Sequence, residues 1–285
     1  MRKSMNRTLE STNQDQKVVE GFGDEWSRFD QSELDSADQQ ALFQKYFHIF
    51  PWERLPEKAI GFDLGCGSGR WAKLSAPRVG TLHCIDASGE ALDVAKRNLA
   101  PLENCKFHHA SVDAIPLEDN SADFGYSLGV LHHVPNTLEG IKACVAKLKP
   151  GAPFLLYLYY SFDNKPAWFR GLWKISEAIR FTLSRSPNSL RYLVSQIIAG
   201  LIYFPLARTA LLLEKLGRNV DHFPLSFYRK LSFYVMRTDA LDRFGTRLEQ
   251  RFSRAQIKAM MESSGLSEIK FSENTPFWCA VGVKL

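Results

Sequence analysis

Glycine stands at positions 65, 67 and 69 in the run Gly61-Phe62-Asp63-Leu64-Gly65-Cys66-Gly67-Ser68-Gly69-Arg70, directly after a short apolar stretch. Without a Cβ, such a loop turns tightly and brings backbone N–H groups close to a ligand. A dinucleotide fingerprint needs glycine where this chain has Arg70, and a phosphate loop needs a Gly-Lys-Ser/Thr ending that is missing. Asp86 ends the next apolar stretch. In a doubly wound sheet that position faces the ribose hydroxyls of a nucleoside lying across the loop, and a carboxylate can accept both protons. Asp113, in Ala110-Ser111-Val112-Asp113-Ala114-Ile115-Pro116, follows a third apolar stretch. Its oxygen could accept from an adenine amino group or simply close a turn. His132 and His133, in Ser127-Leu128-Gly129-Val130-Leu131-His132-His133-Val134-Pro135, come just past a fourth. That edge is where open α/β sheets bind ligands, and imidazole titrates near neutrality, as a general base should.

These residues need a frame, and the periodicities supply one. Apolar runs at 59–64, 81–86, 123–128 and 154–159 read as strands, separated by helical patterns beginning at Arg70, Glu90 and Leu138. In the second of these Ala91, Leu92, Ala95 and Leu99 share a face; Asn136 and Glu139 form a capping box that opens the third. Such alternation means a parallel sheet covered on both sides. A further helix framed by Ser253 and Gln256, and closing strands around 269–271 and 277–283, complete a mostly parallel, doubly wound α/β sheet of seven strands. Leu42, Phe43, Tyr46, Phe47 and Phe50 fall at helical spacing before Pro51, and the polar residues 1–17 are expected to be frayed. The chain thus divides into N-terminal cap helices at 1–50, an α/β core at 51–160, an insertion at 161–237 and a return to the core at 238–285.

Composition narrows the function. The chain has 285 residues, 45% of them apolar, with a formal net charge of +5, enough for one large domain. Its five cysteines form no Cys-x-x-Cys pair and no acidic cluster is seen, so no metal site is expected. The N-terminus is too polar for a secretory signal, which makes the expected location cytoplasmic. Residues 161–237 hold 12 Lys and Arg against 4 Asp and Glu, together with 13 aromatics, and so carry the basic character of the whole chain. Three readings of this segment compete: a helical lid packing on the core or on a second subunit as a homodimer, a lid lining a greasy acceptor pocket, and a lid resting peripherally on an anionic membrane surface. Its uninterrupted apolar part, Ile197 to Ala207, has 11 residues and is too short to span a bilayer. Nucleic acid is not expected, because the charge is interleaved with apolar runs.

Taken in order and spacing, these segments resemble the class I S-adenosylmethionine-dependent methyltransferases, in particular the small-molecule group of ubiquinone and menaquinone biosynthesis. The resemblance covers about residues 18–160 and 238–285. It implies a Rossmann-like fold in which Asp63, Gly65, Gly67 and Gly69 surround the methionine end of the cofactor. Asp86 holds the ribose with Ser88 nearby, Asp113 and Ala114 hold the adenine, and Val130 lines the pocket. The stretch Phe22-Gly23-Asp24-Glu25-Trp26-Ser27-Arg28-Phe29 is similar to the helix that caps the cofactor, which brings in Trp26. The implied activity is methyl transfer from S-adenosylmethionine, leaving S-adenosylhomocysteine, to a small hydrophobic or aromatic metabolite at oxygen or carbon. His132 is the first candidate base and His133 the second, with Phe29, Tyr157 and Tyr159 on the acceptor side. Some relatives pair the first histidine with an aspartate where this chain has Leu158. That departure leaves open a catalytically silent protein that binds S-adenosylmethionine or a related nucleoside in a regulatory role. A membrane-surface methyltransferase of a lipid-like acceptor is the other alternative.

Overall fold

The computed structural model describes residues 13–285; the expectation of a frayed start at 1–12 lies outside them. Residues 13–17 are not frayed. The Asp15 carboxylate accepts from the Lys17 and Val18 N–H groups and so caps α1 (Gln16–Arg28), satisfying donors that a helix start otherwise leaves free. A second helix, α2 (Ser36–Phe47), carries Leu42, Phe43 and Phe47 into the core.

The sheet contains β1 (Ile60–Leu64), β2 (Thr81–Asp86), β3 (Cys105–His109), β4 (Phe124–Leu128), β5 (Pro153–Tyr157), β6 (Leu266–Phe271) and β7 (Cys279–Lys284), in the order β3-β2-β1-β4-β5-β7-β6. All neighbouring pairs are parallel except those of β7, which runs antiparallel to both β5 and β6. The strand order therefore reverses between β1 and β4, and the crevice at their carboxyl ends is where such sheets bind ligands. Helices α3 (Ala72–Ser75) and α4 (Gly89–Asn98) cover one face, while α5 (Thr137–Lys147) and α10 (Arg254–Ser263) cover the other. The capping box at Ser253 and Gln256 is complete. At Asn136 only half of it forms: the side chain accepts from Glu139 N, but the Asn136 N–H donates to Asn13 Oδ1 instead.

At the sheet centre two glycines make room for two rings. A Cβ on Gly61 would lie under 3.0 Å from the Phe124 ring, and one on Gly125 would lie under 3.0 Å from the Phe62 ring. Gly61 pairs with Phe124, and Phe62 with Gly125, across β1 and β4. Each strand thus leaves a gap for its neighbour's phenylalanine, and both rings are fully buried.

The insertion is helical: α6 (Ala167–Leu183), α7 (Asn188–Ile198), α8 (Phe204–Lys215) and α9 (Phe233–Gly245). A π-helical turn at Ala199–Tyr203 joins α7 to α8, so Asn188–Lys215 is one continuous rod of 28 residues. By length and composition alone this rod could cross a membrane, contrary to the expectation drawn from its 11-residue uninterrupted run. The expected boundary at 237 falls inside α9, and the helical segment continues to Gly245. It has its own small core, in which Leu183, Ala199, Tyr203 and Ala207 meet Met236, Ala240 and Phe244. A chain of buried charges ties α6, α9 and the strand-like segment after it. Glu249, whose side chain is 1% exposed, accepts from Arg243 (3.0 Å) and Arg251 (2.7 Å), and Arg243 also reaches Glu177 at 2.9 Å.

Candidate active site

The turn after β1 is built from residues that can do what others cannot. Gly65 has φ +77° and Gly67 φ +54°, and a Cβ at Gly67 would sit 2.9 Å from the Trp26 ring of α1. The loop is therefore left-handed and closely roofed at the same point. Asp86 fastens it: Oδ2 accepts from Gly67 N at 2.8 Å and Oδ1 from Ser88 N at 2.8 Å. Each carboxylate oxygen retains a second lone-pair direction for a ligand. Burial raises the Asp86 carboxyl above its usual range. Ser88 caps α4 through Ala91 N (3.3 Å) and borders the same space.

That space is a cavity of about 670 Å³. It is bordered by Gly65, Gly67, Asp86, Ser88, Val130 and Trp26, and by Tyr157 and Tyr159 at the end of β5. The structure thus brings together most of the expected residues, but moves six of them off the cavity wall. Asp63 is buried beneath the loop and does not border the cavity. Both its oxygens lack a hydrogen-bond partner, and burial raises its carboxyl well above the usual range. Gly69 faces the other way: a Cβ there would meet Leu99 Cδ1 at 2.8 Å, so this glycine serves packing of α4 on the loop. Asp113 turns outward, accepting from the Ser111 hydroxyl and from Asn13 N at 3.2 Å, and Ala114 is off the wall with it. Their neighbours Ser111 and Val112 line the space instead. Phe29, which ends α1, is buried against Tyr234 and Leu241 of α9, its ring centroid 5.5 Å from that of Tyr234.

The sixth is His132. It is fully buried, its ring stacked on Tyr159 at 3.9 Å between centroids, and neither ring nitrogen has a partner. Burial and the neighbouring His133 hold its imidazole well below the usual pKa. His133, the next residue of the same short turn, borders the cavity. Its Nδ1 is 2.7 Å from Leu248 O, and since a carbonyl only accepts, Nδ1 carries the proton. The basic Nε2 lone pair is left without a protein partner.

The lid contributes groups that local spacing gave no sign of. Asp242 of α9 accepts from the Tyr159 hydroxyl, and its charge opposes the burial that lowers the His133 pKa. Asp239, one turn earlier, also lines the cavity, and burial pushes its carboxyl up to about 6. Glu25 of α1 borders it too, raised by burial and then by Asp242 and Asp239. The basic insertion therefore presents acids to the chamber, with Arg70, Arg243 and Arg251 as the arginines on the wall. Helical spacing in α9 puts Asp239 and Asp242 on one face, a signal legible only once the segment is known to fold over β5.

These residues fit S-adenosylmethionine. The glycine loop would give the close approach, with a cradle that a Cβ would fill, and Asp86 the hydroxyl acceptor.

The family of methyltransferase domains matches residues 62–156. Demethylmenaquinone methyltransferase of Staphylococcus aureus strain MRSA252 is 37% identical over 111 residues, which are 35% of this chain and 46% of that protein. The same enzyme of strain JH9 is 37% identical over 120 residues, 41% and 48% of the two chains. The chain thus spans about half the length of the curated relatives it matches. Among solved structures, an O-methyltransferase family protein from Burkholderia thailandensis superposes with a TM-score of 0.54 at 13% identity, over 93% of this chain and 59% of that one, a likeness of fold. The matched domain, the glycine loop and the strand order agree: residues 62–156 carry the methyltransferase match within a Rossmann-like sheet, completed by β6 and β7, of the class I S-adenosylmethionine-dependent type.

Proposed function

We propose that the protein transfers a methyl group from S-adenosylmethionine to a small hydrophobic or aromatic acceptor, at oxygen or carbon, in the chamber under the lid. One observation carries this reading: the cavity that begins at Gly67 and Asp86 continues, without a wall between, into a chamber lined by Tyr157, Tyr159, Trp173, Tyr203 and Tyr228. The relatives' name, with its apolar quinone, points the same way.

The cofactor supplies a sulfonium-activated methyl group. The chain's part is to position the acceptor, exclude water and take a proton. His133 Nε2 accepts the proton of the acceptor's hydroxyl or acidic carbon, because Leu248 O fixes the tautomer that leaves this lone pair free on a residue that borders the chamber. Asp242, on the far side of Tyr159, offsets the positive charge that then forms on the imidazole. It supplies from the lid an acid that the strand, with Leu158, does not. His132 stands behind Tyr159 and orients its ring.

His133→Ala is expected to lower turnover by about two to four orders of magnitude while leaving the affinity for S-adenosylhomocysteine within twofold. Turnover is read as label transferred from methyl-labelled S-adenosylmethionine to an organic extract of host membranes. A variant that keeps full turnover removes His133 as base; label found only in water-soluble products removes the hydrophobic acceptor.

A further inference from the structure

The lid leaves an apolar face that no other part of the described chain covers. On α6, Trp168, Leu172, Ile175 and Ile179 share one side and are 55%, 49%, 63% and 49% exposed. Along the rod, Leu190, Leu193, Ile197, Leu201, Phe204 and Leu212 are all exposed, Leu201 by 74%. They fall on one stripe at helical spacing, which over 22 residues runs about 33 Å. The rod's other side is not free: Ala199, Tyr203, Ala207 and Ala210 are buried, the first three against α9. The rod is therefore held flat in the lid, and its length is not used to span.

Two further observations say what covers this face. First, it surrounds the mouth of the chamber: Leu172, Ile175 and Ile179 of α6 and Ile202 of the rod are exposed and also line the cavity. Second, Lys215, at the C-terminal end of the rod's stripe, and Arg218, in the turn after α8, are exposed. Their side chains make no ion pair or hydrogen bond among the described residues. A second copy docking on this face about a two-fold axis would bring like charges together. A bilayer surface of anionic lipid complements both the apolar stripe and the cations.

We infer that α6 and the rod lie on the anionic face of a bilayer, and that the acceptor passes laterally from the lipid into the chamber between them. The docking stands on the surface alone; the lateral passage rests on the proposed methyl transfer.

The test is co-sedimentation of the full chain with phosphatidylcholine vesicles, with and without one third phosphatidylglycerol. Binding is expected to be at least tenfold stronger with the anionic lipid and to weaken with salt. Each surface cation contributes about fivefold, so reversing two, in Lys215→Glu/Arg218→Glu, should cost about 25-fold or more. Leu201→Gln/Leu212→Gln, which touches neither core nor cavity, should lose binding while its affinity for S-adenosylhomocysteine stays unchanged, showing an intact fold. No association of the wild-type chain with anionic vesicles overturns the docking. So does a dimer in sedimentation that Leu201→Gln/Leu212→Gln converts to monomer, which assigns the face to a second copy. Vesicle binding without methyl transfer to any extracted lipid leaves the docking standing and overturns the lateral passage together with the proposed acceptor class.

Discussion

Asp86→Asn tests the centre of the site. In the native chain both carboxylate oxygens are held by backbone donors, Gly67 N and Ser88 N, each at 2.8 Å. An amide keeps one acceptor oxygen but must turn its NH₂ toward the other N–H, donor against donor. The buried loop then loses one charge-assisted bond, and the ribose loses an acceptor together with the full charge on the one that remains. A hydrogen bond to a charged group contributes about 1.5–3 kcal/mol, so cofactor affinity should fall about 10- to 150-fold. Calorimetric titration with S-adenosylhomocysteine measures this directly. Asp86→Glu, which restores the charge at greater reach, should recover part of the loss. Affinity of the Asn variant within twofold of wild type would refute the assignment of Asp86 to the ribose. Because burial raises the Asp86 carboxyl, native affinity should also weaken as the pH falls into that raised range and the carboxylate takes up a proton.

Two other outcomes follow from the packing and the charge of the chamber. Asp239 has its carboxyl raised from 3.8 to about 6, so the fold prefers it protonated. Its contribution to stability is full below the unfolded value and is lost as pH rises through about 6; Asp239→Asn should therefore stabilise the protein at pH 7–8 by about 1–2 kcal/mol, allowing for water in the chamber, and flatten stability between pH 4 and 6 (roughly) in thermal unfolding. An Asn variant less stable than wild type at pH 8 contradicts this. At the sheet centre, Gly125→Ala should cost about 1–3 kcal/mol in urea unfolding by pressing on the Phe62 ring. Adding Phe62→Leu should return part of that loss, and simple additivity of the two would count against the paired fit.

The frame of the site was legible because its signals are local. The glycine loop, Asp86 at a strand end and the helix faces of α4 and α5 each depend on neighbours within a few residues, so spacing alone reports them. What escaped is long-range. Tyr159 meets Asp242 from 83 positions away, and His133 meets Leu248 from 115. No periodicity in one segment reveals such a partner. His132 and His133 show the limit most sharply. Both sit in one short 3₁₀ turn, and consecutive residues of a turn point in different directions, so the pair was visible while the one that borders the cavity was not. Phe29, the residue that ends α1, turned away from the chamber for a related reason: its partners Tyr234 and Leu241 lie about 200 positions away. The acids of α9 were hidden by the expected boundary at 237, which cut the helix and left Asp239 and Asp242 outside the insertion.

Asn13 ties the N-terminal segment to the ligand-binding edge of the sheet. Its backbone N–H donates to Asp113, its side-chain amide donates to Asn136 O at 2.9 Å, and its side-chain oxygen accepts from Asn136 N at 2.7 Å. One residue thus stitches together two loops on the ligand-binding edge of the sheet, just ahead of the helix whose Trp26 roofs the glycine turn. Trimming the chain past this stitch removes nothing from the sheet or its cores, yet it unfastens the roof. Shortened versions of the protein should fold, melt cooperatively and let go of their nucleoside.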